Sequence, residues 1–137
     1  MLVLAEDLIW ASRLVEAVRR AGAFPVRLAS PRELDVALAA ADLAEPAGDL
    51  VDVDAAAPPR VVGAIVDLFG RRGDATAAIA RIAAARLPVI AVAEHDDLET
   101  RKRALDAGAL RVFSYNKFFT DGPRLVDAWL AAQEGRS

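Results

Sequence analysis

The sequence predicts a three-layer α/β fold in which five parallel strands form a doubly wound sheet in the order 2-1-3-4-5. Three observations carry this expectation. Short apolar runs alternate with amphipathic stretches along all 137 residues, the pattern of successive βα units around a parallel sheet. One run, "LPVIAVA" (Leu87 to Ala93), is apolar almost throughout, as a central strand buried on both faces requires. The alternation holds five candidate strands and five candidate helices, with no internal repeat, linker or low-complexity tract. A single domain over 1–137 is therefore expected, with an insertion at about 45–60 and a frayed tail at about 133–137.

Leu2 to Ala5 is the first candidate strand. Ala11, Leu14, Val15 and Val18 follow at helical spacing, with Arg19 and Arg20 near the C-terminal end and Gly22 beyond it, as the helix dipole and a left-handed cap favour. Pro25 to Leu28 is a second short strand. "SPRE" (Ser30 to Glu33) is a strong helix start: Ser as N-cap, Pro in the first turn, Glu closing a capping box. Leu34 and Leu38 mark the apolar face, which lasts to about Leu43. From Glu45 to Arg60 the pattern blurs, and the alternating Leu50 to Asp54 fits a strand or a loop with an added edge strand. Val61 to Leu68 is the next apolar run, ending on Asp67. Asp74 can cap a helix that places Ala75, Ile79 and Ile82 on one face. After Leu87 to Ala93, "DDLE" (Asp96 to Glu99) opens a helix that closes at Gly108. Val112 to Tyr115 is the last candidate strand, and Pro123 to about Ala132 the last helix, with Leu125, Trp129 and Leu130.

Composition excludes several functions. A net charge of −3 gives no basic footprint for nucleic acid. With no Cys there are no disulfides, thiolate metal sites or cysteine nucleophiles, and a single His (His95) excludes multi-histidine zinc sites. The N-terminus lacks the basic region of a signal peptide, and no apolar run approaches a membrane span, so a cytoplasmic location without membrane contact is expected.

Right-handed crossovers would bring the strand C-termini to one edge, where ligands bind in such sheets. That edge would hold Glu6 and Asp7, Asp67, Ala93 and Glu94, and Tyr115 to Lys117. Glu6, Asp7 and Asp67 together would suit a hard cation such as Mg²⁺, bound through carboxylates, phosphate and water. The first loop is acidic and has no glycine, so it is a poor phosphate cradle, and no dinucleotide or P-loop motif occurs. Plainer roles stand beside these. Glu6 and Asp7 can serve as first-turn acids of a helix, and Asp67 can be the first residue of its strand to reach solvent. His95 is expected in a solvated loop, and "ETRKR" (Glu99 to Arg103) on the wet face of a helix.

Several stretches carry a resemblance. "LVLAED", "AIVDLFGRRGDATAAIARI", "LPVIAVAEHDD" and "ALDAGALRVFSYNKF" together resemble the receiver domains of response regulators, CheY-like members of the flavodoxin-like architecture, over nearly the whole chain. "EDLIWASRL" and "RVFSYNKF" also resemble a poorly characterised group of receiver-like proteins. The resemblance implies an acidic pair at Glu6 and Asp7, a phosphoacceptor at Asp67, and Mg²⁺ held by all three. "GDLVDVDAAAP" resembles the acceptor run as well, which makes Asp54 a rival, with Pro58 as the following proline. Asp67 is preferred because Asp74 then opens a helix of suitable length before "LPVIAV".

The sequence departs from that family at its switch positions. Family receivers end strand four in Thr or Ser, where this chain has Ala93. They end strand five in Lys, where this chain has Tyr115; Lys117, two residues on, could substitute only if the loop is rearranged. Asn116 replaces the usual proline. The resemblance therefore implies a degenerate, pseudo-receiver member: a non-enzymatic two-component signalling module that binds a kinase or effector protein. Its partner face would be the fourth helix, fifth strand and fifth helix, with Phe113, Tyr115, Phe118 and Phe119 as candidate contacts, and homodimerisation is left open. The alternatives are a working Mg²⁺-dependent response regulator phosphorylated on Asp67 by a histidine kinase and, ranked last, a small-molecule enzyme on the same fold.

Overall fold

The computed structural model describes residues 1–5, 7–43, 61–68 and 72–134, together with the backbone placement of the elements within them. In chain order the elements are β1 (Leu2–Leu4), α1 (Leu8–Arg20), β2 (Val26–Leu28), α2 (Pro31–Leu43), β3 (Ala64–Asp67), α3 (Arg72–Ala84), β4 (Val89–Ala93), α4 (Leu98–Ala107), β5 (Arg111–Ser114) and α5 (Tyr115–Glu134). The strands form one sheet in the order β2-β1-β3-β4-β5, and every pairing is parallel. The expected topology is the observed one. The expected insertion, with its alternating segment and Asp54, lies outside the described residues.

Side-chain alternation along the strands divides the core into two layers. Val3, Ala5, Ile65, Ile90, Val92 and Phe113 pack with α1 and α5. Leu2, Ala64, Val66, Val89, Ala91 and Ala93 pack with α2, α3 and α4. The central strands β3 and β4 are buried at every position, as the continuous apolar runs require, whereas the edge strand β2 exposes Val26 and Arg27.

Helix ends follow the local chemistry. At α1, Gly22 adopts φ 90°, and the amide of Ala23 returns to the carbonyl of Val18. At α2 half of the expected capping box forms, the Glu33 amide donating to Ser30 Oγ, while the Glu33 carboxylate reaches one residue further back and accepts from the Ala29 amide. Asp97 caps α4 by accepting from the Thr100 amide, and Gly108 closes that helix at φ 123°. Two expectations shift. Helix α3 begins at Arg72, so Asp74 lies inside its first turn rather than at its cap. The C-terminal helix runs to Glu134 and begins at Tyr115, eight residues ahead of the Pro123 start read from the sequence. It is two helical pieces joined at a kink: Asp121 has φ −121° and ψ 16°, and Pro123 cannot donate to the helical ladder.

At the opposite edge of the sheet from the strand C-termini, Gly63 makes room for Trp129. A Cβ at Gly63 would lie 2.3 Å from Trp129 Cη2 and 2.8 Å from the Pro88 carbonyl oxygen. Gly63→Ala should therefore cost about 1–3 kcal/mol through overpacking, measured by urea denaturation. Adding Trp129→Phe should recover part of the loss, because it shortens the clashing ring and removes an indole N–H buried without a partner among the described residues.

Candidate functional site

Asp67 is the last residue of β3, and its alternation partner Ile65 belongs to the α1–α5 layer. The ladder continues past it, with the Leu68 amide donating to the Val92 carbonyl. The carboxylate is therefore held inside the sheet's C-terminal edge rather than at a free end. Only 7% of Asp67 is exposed, and it is the one buried charged side chain among the described residues. A carboxylate so placed is costly unless donors meet it. The Tyr115 hydroxyl does so, donating to Asp67 Oδ1.

Tyr115 reaches that position because β5 stops one residue earlier than its apolar pattern suggests. Ser114 ends the strand, and its Oγ accepts from the Lys117 amide at 3.1 Å, satisfying one of the free donors at a helix start. This cap turns Tyr115 from the last residue of a strand into the first residue of α5. Its side chain is buried, with the ring tilted at 42° against Trp10 of α1 at a centroid distance of 4.4 Å.

Asp7 has a structural task of its own. It is the N-cap of α1, and its Oδ1 accepts from the Ile9 amide at 2.8 Å and the Trp10 amide at 3.1 Å. Glu6 lies outside the described residues. Among the described residues no three carboxylate or imidazole groups gather closely enough to hold a metal ion. Asp7 and Asp67 each direct one oxygen to a protein donor.

The other singled-out residues fall as follows. Ala93 is buried in the α2–α4 layer, across the sheet from the layer that holds Tyr115. Lys117 is largely exposed, and its Nζ lies 3.7 Å from Asp121 Oδ2, one helical turn along α5. Glu94 and His95 are exposed. In the "ETRKR" stretch, Glu99 and Arg103 form an exposed pair, while Arg101 reaches from α4 to the Val112 carbonyl at 3.2 Å. Phe113, Tyr115 and Phe118 are core residues, and only Phe119 of that group is exposed, at 62%.

Trp10, Arg13 and Ser114 were not singled out from the sequence. Arg13 places its guanidinium 4.2 Å from the Phe119 ring centroid and 5.5 Å from that of Trp10. These side chains line an open groove of about 300 Å³ between α1 and α5. Helix α5 comes close to α1 at Gly122, where a Cβ would lie 3.3 Å from the Ala17 Cβ. The legible signal was spacing: Trp10 and Arg13 are three residues apart on one helix face, and Ser114 stands three before Lys117.

No protein-family model matches the sequence, and no curated protein matches it. Solved structures do match. A CheY-like response regulator receiver domain protein from Methanospirillum hungatei superposes with a TM-score of 0.70 at 16% identity, covering 99% of this chain and 96% of that one. The receiver domain of NtrX from Brucella abortus gives 0.64 at 22% identity, covering 94% and 95%. The receiver domain of a signal transduction histidine kinase from Syntrophus aciditrophicus gives 0.67 at 17% identity, covering 96% and 89%. A longer NtrX chain from Brucella abortus is matched over 27% of its length. The fold of this chain is CheY-like.

The site's hydrogen bonds set measurable stabilities. Tyr115→Phe keeps the ring and removes one donor from a buried carboxylate, so it should destabilise the protein by about 1–3 kcal/mol. Asp7→Ala should cost about 1 kcal/mol through the lost helix cap, whereas Asp7→Asn should cost only a few tenths, roughly the spread between good caps. Urea midpoints of the three variants check both statements.

Proposed function

We propose that this chain is a receiver-like signalling domain of the two-component type that acts by binding another protein, with weak or absent phosphoacceptor activity at Asp67. The observation that carries this is the Tyr115 hydroxyl on the Asp67 carboxylate, at the place where receivers put a lysine ammonium. To accept a phosphoryl group, a carboxylate oxygen must attack phosphorus as the bond to the leaving group breaks. A hydrogen bond from the phenol draws charge from that nucleophile, and the buried ring beside it restricts the approach. The product would also lack two partners: Ala93 has no hydroxyl, and Lys117 is turned toward Asp121. Without differential contacts to a phosphorylated state, phosphorylation has little to bias.

Mg²⁺ would supply charge neutralisation for a phosphoryl group at this edge, with Glu6, Asp7 and Asp67 as its candidate oxygens. In the reading proposed here that site is vestigial, because Asp7 serves α1 as its cap and Asp67 is joined to Tyr115. The partner is a protein, either a kinase or a downstream effector. Exposed Leu98, Leu105 and Leu110, around α4 and the entry to β5, support the face of α4, β5 and α5 as the contact surface. No helix among the described residues is long and apolar enough to cross a membrane.

The test is intact mass after incubation with acetyl phosphate and Mg²⁺. The expected result is no phosphoryl increment. An increment that disappears in Asp67→Asn would overturn the proposal in favour of a working response regulator. One that survives Asp67→Asn and disappears in Asp54→Asn would move the acceptor to the rival position.

A further inference from the structure

We propose that Tyr115 is a positioning residue that couples the Asp67 carboxylate to the groove between α1 and α5. This inference rests on the proposed reading, in which Tyr115 holds the Asp67 carboxylate, and it adds the surface to which that bond is joined.

The route is a continuous series of contacts. The Tyr115 hydroxyl donates to Asp67 Oδ1 on β3. The same ring packs against Trp10 in a tilted contact, with ring centroids 4.4 Å apart. Trp10 is half-buried: one part meets Tyr115, and another lines the groove, where Arg13 bridges it to exposed Phe119. A lysine at position 115 could satisfy the carboxylate but would not give the indole this ring-to-ring contact. Tyrosine joins the two ends in one rigid side chain.

The two ends of α5 are separate helical pieces. The first helical piece of α5 carries Tyr115, Phe118 and Phe119, and the kink at Asp121 separates it from the piece that begins at Pro123. Both pieces reach the core, the first through Tyr115 and Phe118 and the second through Val126 and Trp129. Loss of the Asp67–Tyr115 hydrogen bond therefore changes how Tyr115 packs on Trp10 and, through Trp10, the wall of the groove. This direction differs from the α4 side of the molecule, because the exposed aromatic at this end of α5 packs toward Arg13 of α1.

The sequence contains two tryptophans, Trp10 and Trp129, which makes the test specific. The full chain is labelled with 5-fluorotryptophan, and the two fluorine resonances are assigned with Trp10→Phe. Tyr115→Phe removes only the hydroxyl and keeps the ring. The inference predicts that it shifts or broadens the Trp10 resonance and leaves that of Trp129 in place. Asp67→Ala should perturb Trp10 alone as well, and the double variant should move it no further than the larger single effect. An unchanged Trp10 resonance in a folded Tyr115→Phe protein would overturn the inference. So would equal movement of both resonances, which marks general loosening. No phosphoryl donor is used, so this outcome is independent of the acetyl phosphate experiment.

Discussion

A single carboxylate buried at the end of the third strand constrains much of what surrounds it. Asp67 sits inside the ladder, with the sheet continuing past it to Leu68, so it cannot turn to bulk water as a strand-end acid would. Desolvating a carboxylate costs several kcal/mol unless donors replace water, roughly the scale of a domain's whole net stability. The Tyr115 hydroxyl is one such donor, and it must come from the α1–α5 layer because that is where alternation points the side chain. This accounts for the early stop of β5 at Ser114, the helical start at Tyr115, and the packing of that ring against α1.

The same constraint separates this crevice from one built for phosphoryl transfer. A lysine there would bring a mobile positive charge, suited to following a ligand's charge as it changes. A phenol packed against an indole brings a neutral donor held in one geometry, which suits a carboxylate that stays as it is. Asp7 fits the same picture: its oxygen serves two amides of α1, the helix that carries Trp10. Cap, ring contact and hydrogen bond thus run through adjacent residues, and α1 is tied to β3 through Tyr115.

The fold was legible in the sequence because its signals are strong and mutually consistent. "LPVIAVA" was the clearest buried strand and holds β4, "SPRE" opens α2 with Ser30 as its cap, and Gly22 and Gly108 ended helices at positive φ. The site was legible in its parts and not in its wiring. Asp67, Ala93 and Tyr115 could be picked out by position, but sequence spacing does not tell which face of the sheet each side chain joins, and Ala93 joins the opposite one. The tyrosine was read as a strand residue because Val112 and Phe113 favour β structure. A helix cap by Ser114 outcompeted that propensity, and such local side-chain hydrogen bonds leave only a faint pattern. Trp10 went unremarked because one half-buried aromatic on an amphipathic helix looks like any other core residue until its neighbour is known.

Tyr115 is the only tyrosine in the chain, so its hydroxyl proton can be observed without ambiguity by proton NMR. If the Asp67–Tyr115 hydrogen bond organises the crevice, the wild-type spectrum will contain one tyrosine hydroxyl resonance protected from exchange with water. That resonance will be lost in Asp67→Ala while the fold persists. A wild-type protein with no protected hydroxyl proton, or one whose protected proton is indifferent to Asp67→Ala, would contradict the account.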